Sequence, residues 1–358
     1  MGLPQILIEF RIKGTSAIQR SGKGIVAMIL KDDTKAFDTK IYKSVEEVEF
    51  TDWTAENKDY IDKVFMGTPT KVIIERIGVD AIDYNAALAR LKNKKWNYLT
   101  IPGIEDADVT NIATWIKTQR KVNKKTFKAV LPKIEADSDG IINFTTEDIE
   151  VGEKLYTTGQ YAARLAGIFA GMPFDRSSTY YALNEVTNIK EHEDPDTNID
   201  SGELILINDG EKIKIGRGVN SLTTTTATKG EEFKKIKIVD SVDLMRDDIR
   251  DTFETHYVGK VNNTYDNKIL FLAAVNAYFR ELERDDILDP AYRNIAEINI
   301  DAQRNYLASK EYTTSDGRGV DDMTEQEIKE ANTGSKVFAK ARVKFIDTME
   351  DLEFYIYM

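Results

Sequence analysis

Strand-like and helical segments alternate along residues 25–131 of this chain. The strand-like segments are short, apolar and β-branched, as buried strands are. They are 25–30, 71–77, 96–101 and 126–131, and segments with helical spacing lie between them at 55–65, 84–91 and 108–118. Because parallel strands need long crossover connections, this alternation predicts an α/β domain whose mixed, mostly parallel sheet is flanked by helices.

The remaining residues predict a smaller second domain. A helix is expected at 155–170, and residues 191–202 have the composition of a loop, so we place a domain boundary there. Beyond it we expect a hairpin at 203–215, helices at 242–256 and 265–283, and a strand at 336–346. The expectation is α+β overall, in four parts: an N-terminal arm at 1–20, the α/β domain at 21–200, a C-terminal α+β domain at 201–346 and a C-terminal arm at 347–358.

Both ends of the chain alternate between apolar and polar residues like β-strands. The apolar positions are Ile6, Ile8, Phe10 and Ile12 near one end, and Leu352, Phe354 and Ile356 near the other. Alternation with a period of two is typical of half-buried strands. Since chain ends are ordinarily polar and frayed, an apolar terminal strand has to dock on a sheet, either its own or a neighbour's.

Composition limits the classes of function. At 358 residues the chain exceeds what one core commonly organises, so two domains are expected. The formal net charge of −12 argues against a nucleic-acid partner. No apolar run reaches the roughly 18 residues needed to span a membrane, and the N-terminus lacks the pattern of a signal peptide. We therefore expect no nucleic-acid binding and no direct membrane insertion.

Motifs for catalysis or metal binding are incomplete. The chain has no cysteine and two histidines, His192 and His256, which lie outside any metal-binding spacing. Residues 194–205 begin like a calcium loop but carry Ile199 and Ile205 where glycine and glutamate are needed. No phosphate loop or dinucleotide fingerprint is complete. We expect no catalytic residue, no metal site and no cofactor, although a carboxylate-dependent enzyme stays open.

Several short motifs, in this order and spacing, carry a resemblance to a known family. The strongest local match spans residues 216–278 and contains GVNSLT, IKIVD and YVGKVNN. Further matches are GLP at 2–4, RSGKGIVA at 20–27, FMG at 65–67, KVII at 71–74, ANTGSKVF at 331–338 and DTMEDL at 347–352. Over nearly its whole length the chain resembles the contractile tail sheath proteins of myophages and of phage-tail-like particles. It looks like a short sheath protein without extra outer domains.

The resemblance implies that the terminal arms leave the subunit and add strands to a small sheet in the C-terminal domain of neighbouring subunits. The arm contacts would then be the seven apolar positions named above, and the receiving strand would carry Val337, Ala339, Ala341 and Val343. Ordering each arm residue costs about 1–2 kcal/mol, and each ladder hydrogen bond returns about 0.5–1.5 kcal/mol. Burial of the apolar side chains must therefore stabilise the docked arm.

The resemblance also implies partners and a location. These are further copies of the chain in stacked rings, an inner tail tube, and baseplate and terminator or cap proteins. Candidates for tube contact are Arg304, Lys310 and Lys329, which are equally well explained as solvated helix positions. Synthesis would take place in the bacterial cytoplasm, with release by lysis in a phage tail or a tail-like bacteriocin.

The resemblance further implies a mechanism. The sheath would contract from a metastable extended state and drive the tube through a target envelope, with no nucleotide supplying the energy. Two other classes stay open: a non-contractile tail or tube protein, and a soluble enzyme that uses carboxylates.

Overall fold

The computed structural model describes residue 18 and residues 24–358. The N-terminal positions Ile6, Ile8, Phe10 and Ile12 lie outside these described residues. The described chain divides into two compact units. We call residues 24–244 together with 347–358 the α/β unit, and residues 245–346 the C-terminal unit.

Both units contain helices and strands. The strands of the α/β unit are β1 (Ile25–Lys31), β2 (Thr39–Tyr42), β3 (Lys71–Ile77), β4 (Tyr98–Thr100), β5 (Lys128–Pro132), β6 (Ile141–Phe144), β7 (Ile149–Val151), β8 (Lys154–Tyr156), β9 (Glu203–Leu204), β10 (Leu206–Asn208) and β11 (Ile213–Ile215). Its helices are α1 (Ala55–Phe65), α2 (Asn85–Leu91), α3 (Asp106–Lys121), α4 (Thr158–Gly171) and α5 (Pro195–Asp200). Helix α6 (Ile236–His256) begins there and continues past Leu244. The C-terminal unit contains α7 (Tyr265–Arg284), β12 (Ile295–Ile298), α8 (Ile300–Ala308), α9 (Glu325–Glu330) and β13 (Ala339–Arg342).

A seven-stranded sheet in the order β2-β3-β1-β4-β5-β6-β9 forms the centre of the α/β unit. Strand β2 runs antiparallel to β3, and every other neighbouring pair is parallel. This confirms the predicted mixed, mostly parallel sheet with flanking helices. Parallel strands need long connections, and α2 and α3 lie in the connections from β3 to β4 and from β4 to β5.

The core has a layer on each face of the sheet. Along β1, Val26 and Met28 belong to the cluster that includes α1 and α4, whereas Ala27 and Ile29 belong to the cluster that includes α2 and α3. All four side chains are at most 1% exposed. A strand covered on both faces reads as a continuous apolar run, which is why residues 25–30 lack polar alternation.

Several predictions differ from the observed elements, among them the helix expected at 242–256, which begins at Ile236. The helix expected at 155–170 begins only at Thr158, because Thr157 and Gln160 form a capping box after strand β8. Helix α5, capped by Asp194, lies in the expected loop at 191–202. In the hairpin, β9 pairs with β6, and only β10 pairs with β11. As a result, residues 201–244 group with the α/β unit, although the sequence assigned them to the C-terminal domain.

Buried charges attach the start of α6 to the sheet within the α/β unit. Lys128 of β5, whose side chain is 2% exposed, lies 3.0 Å from both Asp240 and Asp243 of α6. Arg120 of α3 donates to Asp243 at 2.8 Å, and the Tyr98 hydroxyl donates to Asp240 at 2.7 Å. Burial alone would raise the pKa of Asp243, but Lys128 and Arg120 hold it below its ordinary value. The carboxylate of Asp243 therefore stays ionised and holds α6 on the sheet.

We predict that Lys128→Met destabilises the α/β unit by about 3–5 kcal/mol, because it leaves Asp240 without its cation and Asp243 with Arg120 alone. Urea unfolding followed by the fluorescence of Trp96, which is 1% exposed, measures this loss. The matched control is Lys133→Met, since Lys133 pairs with Glu147 on the surface and such pairs contribute about 0–1 kcal/mol. Equal losses for the two variants would contradict the structural role of the buried network.

Candidate functional site

The C-terminal segment 352–358 is exposed and forms no strand within this chain. The side chains of Leu352, Phe354 and Ile356 are 86%, 75% and 75% exposed. Tyr355 and Tyr357 are 71% and 91% exposed, so both faces of the segment lack cover. Concentrated apolar exposure of this kind marks a site of interaction. The predicted arm contacts at this end are therefore accessible to a partner.

The base of this segment is fixed to the α/β unit by Glu350, whose side chain is 4% exposed. Its carboxylate accepts hydrogen bonds from Thr179 Oγ1 at 2.7 Å and Ser177 Oγ at 2.9 Å. Lys235 Nζ donates to the other carboxylate oxygen at 3.0 Å and also pairs with Asp347. On the far side, Arg217 pairs with the exposed Asp351. The chain is thus held at 347–351 and released from Leu352 onward.

The electrostatics of this anchor favour an ionised Glu350. Burial would raise the pKa of Glu350, but hydrogen bonds from Thr179, Lys235 and Ser177 lower it below its ordinary value. Burial likewise acts to lower the pKa of Lys235, and the carboxylates of Asp347 and Glu350 raise it instead. Charge-assisted hydrogen bonds of this kind are about twice as strong as neutral ones, so the anchor is stable while Glu350 is charged.

A two-stranded antiparallel sheet in the C-terminal unit contains the predicted receiving strand. Strand β12 pairs with β13 so that Ala296 is opposite Ala341 and Ile298 is opposite Ala339. The predicted strand at 336–346 is shorter than expected, since Val337 and Val343 lie outside β13. Beyond β13, residue Phe345 forms an isolated bridge with Leu288 instead. Within the described chain, no third strand pairs with this sheet.

Asn276 of α7 covers the outer edge of β12. Its side-chain amide accepts from Ala296 N at 2.7 Å and donates to Ala296 O at 3.0 Å. Neighbouring residues of a strand direct their backbone groups to opposite sides, so Ala296 points away from β13 and towards Asn276. Asn299 N donates to Phe338 O at 3.0 Å, so these two residues point towards each other across the sheet, as the alternation requires. By the same phase, the backbone N–H and C=O of Ala341 point outward from the opposite edge of the sheet.

The outer edge of β13 is the exposed edge. All four residues of β13 are exposed, and Ala339 and Ala341 are small. Four cations follow one another along this stretch: Lys336, Lys340, Arg342 and Lys344. Glu297 lies within 3.7 Å of two of them, and Asp289 lies 3.1 Å from Lys344. Cations therefore outnumber carboxylates along the open edge.

The three candidate tube-contact residues lie on different elements. Arg304 is half-buried on α8, Lys310 is exposed just after it, and Lys329 is half-buried on α9. Helices α8 and α9 are joined by an apolar cluster centred on Leu307 and Ile328. Lys329 also lines a cavity with Ala296 and Ile298 of β12. The structure thus brings these cations into one region of the C-terminal unit but not to one point.

Sequence reasoning missed the two features that define this surface. Sequence patterns assigned no separate role to Glu350, which lies in the motif at 347–352, and none to Asn276. No local pattern marks either residue, because their partners lie 173 and 20 positions away. Residues 18 and 24–358 contain no group of three or more metal-ligating side chains. In the same part of the chain, no helix has the length and apolarity to cross a bilayer.

We predict that Glu350→Gln mobilises residues 347–358, since hydrogen bonds to a charged group contribute about 1.5–3 kcal/mol. Because the chain has no cysteine, a spin label at Met349→Cys, a fully exposed position, reports the motion through its line width. The exposed Glu353→Gln is the matched control and leaves the line unchanged. In the parent chain, acid produces the same mobilisation as pH falls through the lowered pKa of Glu350, because protonation removes the charge that holds the anchor. A mobile label in the parent at neutral pH would contradict the anchor.

Two family models match this chain. One, described as the phage tail sheath protein central domain, matches residues 78–221, and the other, described as the phage tail sheath C-terminal domain, matches residues 228–358. A tail sheath protein of Clostridium phage phiCD119 is 41% identical over 367 residues, which covers 100% of this chain and 99% of that protein.

Solved structures share the fold. A sheath tail protein from Desulfitobacterium hafniense matches with a TM-score of 0.69 at 15% identity, covering 82% of this chain and 94% of that one. The contracted helical sheath of the anti-feeding prophage matches with a TM-score of 0.72 at 12% identity, covering 100% and 99%. At such identities the likeness concerns the fold alone. Together with the full-length relative and the two family models, it leads to one conclusion: this chain belongs to the phage tail sheath protein family.

Proposed function

We propose that this chain is the subunit of a contractile sheath that polymerises helically around an inner tube. The observation that carries the proposal is the pairing of two complementary features in one chain. One is an apolar segment, 352–358, that is anchored at its base and otherwise exposed, and the other is the open edge of β13. An extended segment can add a strand to an exposed sheet edge, and the backbone groups of both then form hydrogen bonds with each other.

We assign the open edge of β13 to the C-terminal segment of a neighbouring copy. Segment 352–358 carries the carboxylate of Glu353 and no cation, whereas the N-terminal arm carries Arg11, Lys13 and Arg20 against Glu9. The excess of cations beside β13 favours the acidic segment. The edge of β12 carries the amide of Asn276 at its centre, so a strand added there would have to displace that amide. The apolar positions Ile6, Ile8, Phe10 and Ile12 remain candidates for a contact with another neighbour.

Ala341→Pro tests this assignment, since proline removes an N–H that points outward and leaves the ladder to β12 intact. We predict loss of tubular polymers in electron micrographs, with circular dichroism of the variant unchanged. Ala341→Ser, which keeps the N–H, is the control at the same position and polymerises like the parent. Normal tubes from a folded Ala341→Pro variant would contradict the assignment.

We further propose that the sheath contracts from a metastable extended state and drives the tube through a target envelope. The likeness to a chain from a contracted sheath supports this part, because that fold is compatible with the contracted packing. Arms that are anchored at their bases and docked at their tips would hold neighbours together while the folded units move, as in a switch between two packings. Arg304, Lys310 and Lys329 remain proposed contacts with the tube, and baseplate and terminator proteins remain proposed partners.

Contraction predicts two lengths of particle. Negative-stain images of purified particles before and after acid or urea treatment should show a shorter, wider sheath after treatment. A non-contractile tail or tube protein is the competing function. Particles whose sheath keeps one length and one width under all conditions would favour that alternative.

A further inference from the structure

A groove of about 460 Å³ lies within the C-terminal unit, outside the sheet described above. Its walls come from the end of α6, the loop at 257–263, the first turns of α7 and residues 334–337. This volume lies in the range of about 300–1,000 Å³ that binding clefts typically occupy. Val337 lines the groove, and β13 begins two residues later.

One wall of the groove is aromatic. The rings of Phe253 and Tyr257 stack with centroids 5.8 Å apart, and Phe271 meets them edge-on at 5.2 and 5.0 Å. The rim is apolar too, since Val258 and Val261 are 55% and 40% exposed. A further aromatic ring could pack against this cluster and the exposed valines. An aromatic pair contributes about 0.5–1.5 kcal/mol beyond the burial of its surface area.

The groove also contains a buried cation without a counter-ion. Lys268 is 3% exposed, and its Nζ lies 3.3 Å from Thr333 Oγ1. None of the carboxylates at residues 24–358 lies within ion-pair distance of Lys268, and burial lowers its pKa. Asn263 lines the same groove, and its buried side-chain oxygen accepts no hydrogen bond from the described part of the chain. Both groups therefore gain from a ligand that brings an anion and a donor.

Segment 352–358 has a matching face. The Tyr355 hydroxyl donates to Glu353 Oε2 at 3.3 Å, so these two side chains share one face of the extended chain. Alternate residues of a strand are about 6.6 Å apart. Lys268 and Phe271 are three residues apart on α7, which places their side chains about 5–6 Å apart. The spacing of Glu353 and Tyr355 is therefore similar to that of Lys268 and Phe271, so the carboxylate can meet the cation while the two rings meet.

We propose that the groove binds segment 352–358 of a second copy, with Glu353 paired to Lys268 and the Tyr355 ring packed on Phe271. This inference rests on the proposed function, because it takes the segment from a neighbouring copy. It adds a side-chain site that selects the acidic segment over the N-terminal arm, whose Arg11 and Lys13 would repel Lys268. The groove supplies specificity next to an edge whose backbone groups would accept any strand.

A labelled peptide of residues 351–358 tests the site in fluorescence anisotropy against the chain truncated after Asp351. We expect saturable binding that Lys268→Met weakens at least tenfold, whereas Lys92→Met, a change at an exposed lysine of the α/β unit, has no effect. Glu353→Gln in the peptide should lose the same factor, and adding it to Lys268→Met should cost nothing more. Val261→Asp, at the exposed rim, is a second variant that also weakens binding and does not alter a buried residue.

Several results would overturn the inference: no saturable binding, equal effects of Lys268→Met and Lys92→Met, or tighter binding of a peptide of residues 4–13. Full-length chain below its assembly concentration should bind the peptide as the truncated chain does. If the truncated chain binds the peptide and the full-length chain does not, the groove is filled by the segment of its own chain. Peptide binding is measured without polymers, so it separates the two proposals. If the chain forms tubes but does not bind the peptide, the groove site is wrong and the proposed function stands. If the chain binds the peptide but forms no tubes, the proposed function is wrong.

Discussion

An open strand edge and an exposed apolar segment in the same chain impose the constraint around which the rest of the molecule is arranged. Exposing Leu352, Phe354 and Ile356 forgoes about 1.5–3 kcal/mol for each side chain. The unpaired backbone groups of β13 are a template for aggregation unless a defined strand covers them. In a single chain the apolar side chains of 352–358 stay exposed and the outer backbone groups of β13 stay unpaired. In an ordered polymer the segment of one copy can cover the edge of another, so one contact accounts for both features.

Assembly through arms requires that the arms begin at fixed points. Glu350 provides such a point, because its carboxylate collects two hydroxyl donors and an ammonium group. The buried pairing of Lys128 with Asp240 and Asp243 has a similar role for α6, which is attached to the sheet where it starts. In both places ionic contacts hold a segment at its base. The apolar side chains beyond Glu350 are left for the partner, so attachment and docking use different chemistry and different residues.

Sequence patterns predicted the part of the fold that depends on local periodicity. The run that became β1 could be read directly, because burial on both faces removes polar residues from a strand. The run that became β3 was read from its β-branched residues, although it also carries the buried Glu75 and Arg76. The family resemblance is confirmed by the full-length relative. The pairing of β9 with β6 could not be predicted, because it joins residues far apart in the chain. The helix caps at Thr157 and Asp194 also shifted the expected elements. At the site, the alternation at 352–358 predicted a strand that docks on a sheet of its own chain or of a neighbour, and only the structure shows that the segment is exposed. The roles of Asn276 and Lys268 depend on residues far along the chain.

The most direct measurement of the central claim is a near-atomic structure of the assembled polymer. The account predicts that residues 352–358 of one copy form a strand beside β13 of another copy, hydrogen-bonded to the backbone of Ala339 and Ala341. It also predicts that Glu350 keeps its contacts with Ser177 and Thr179 in the polymer. An assembled sheath in which the edge of β13 stays uncovered, or in which 352–358 pairs within its own chain, would contradict it.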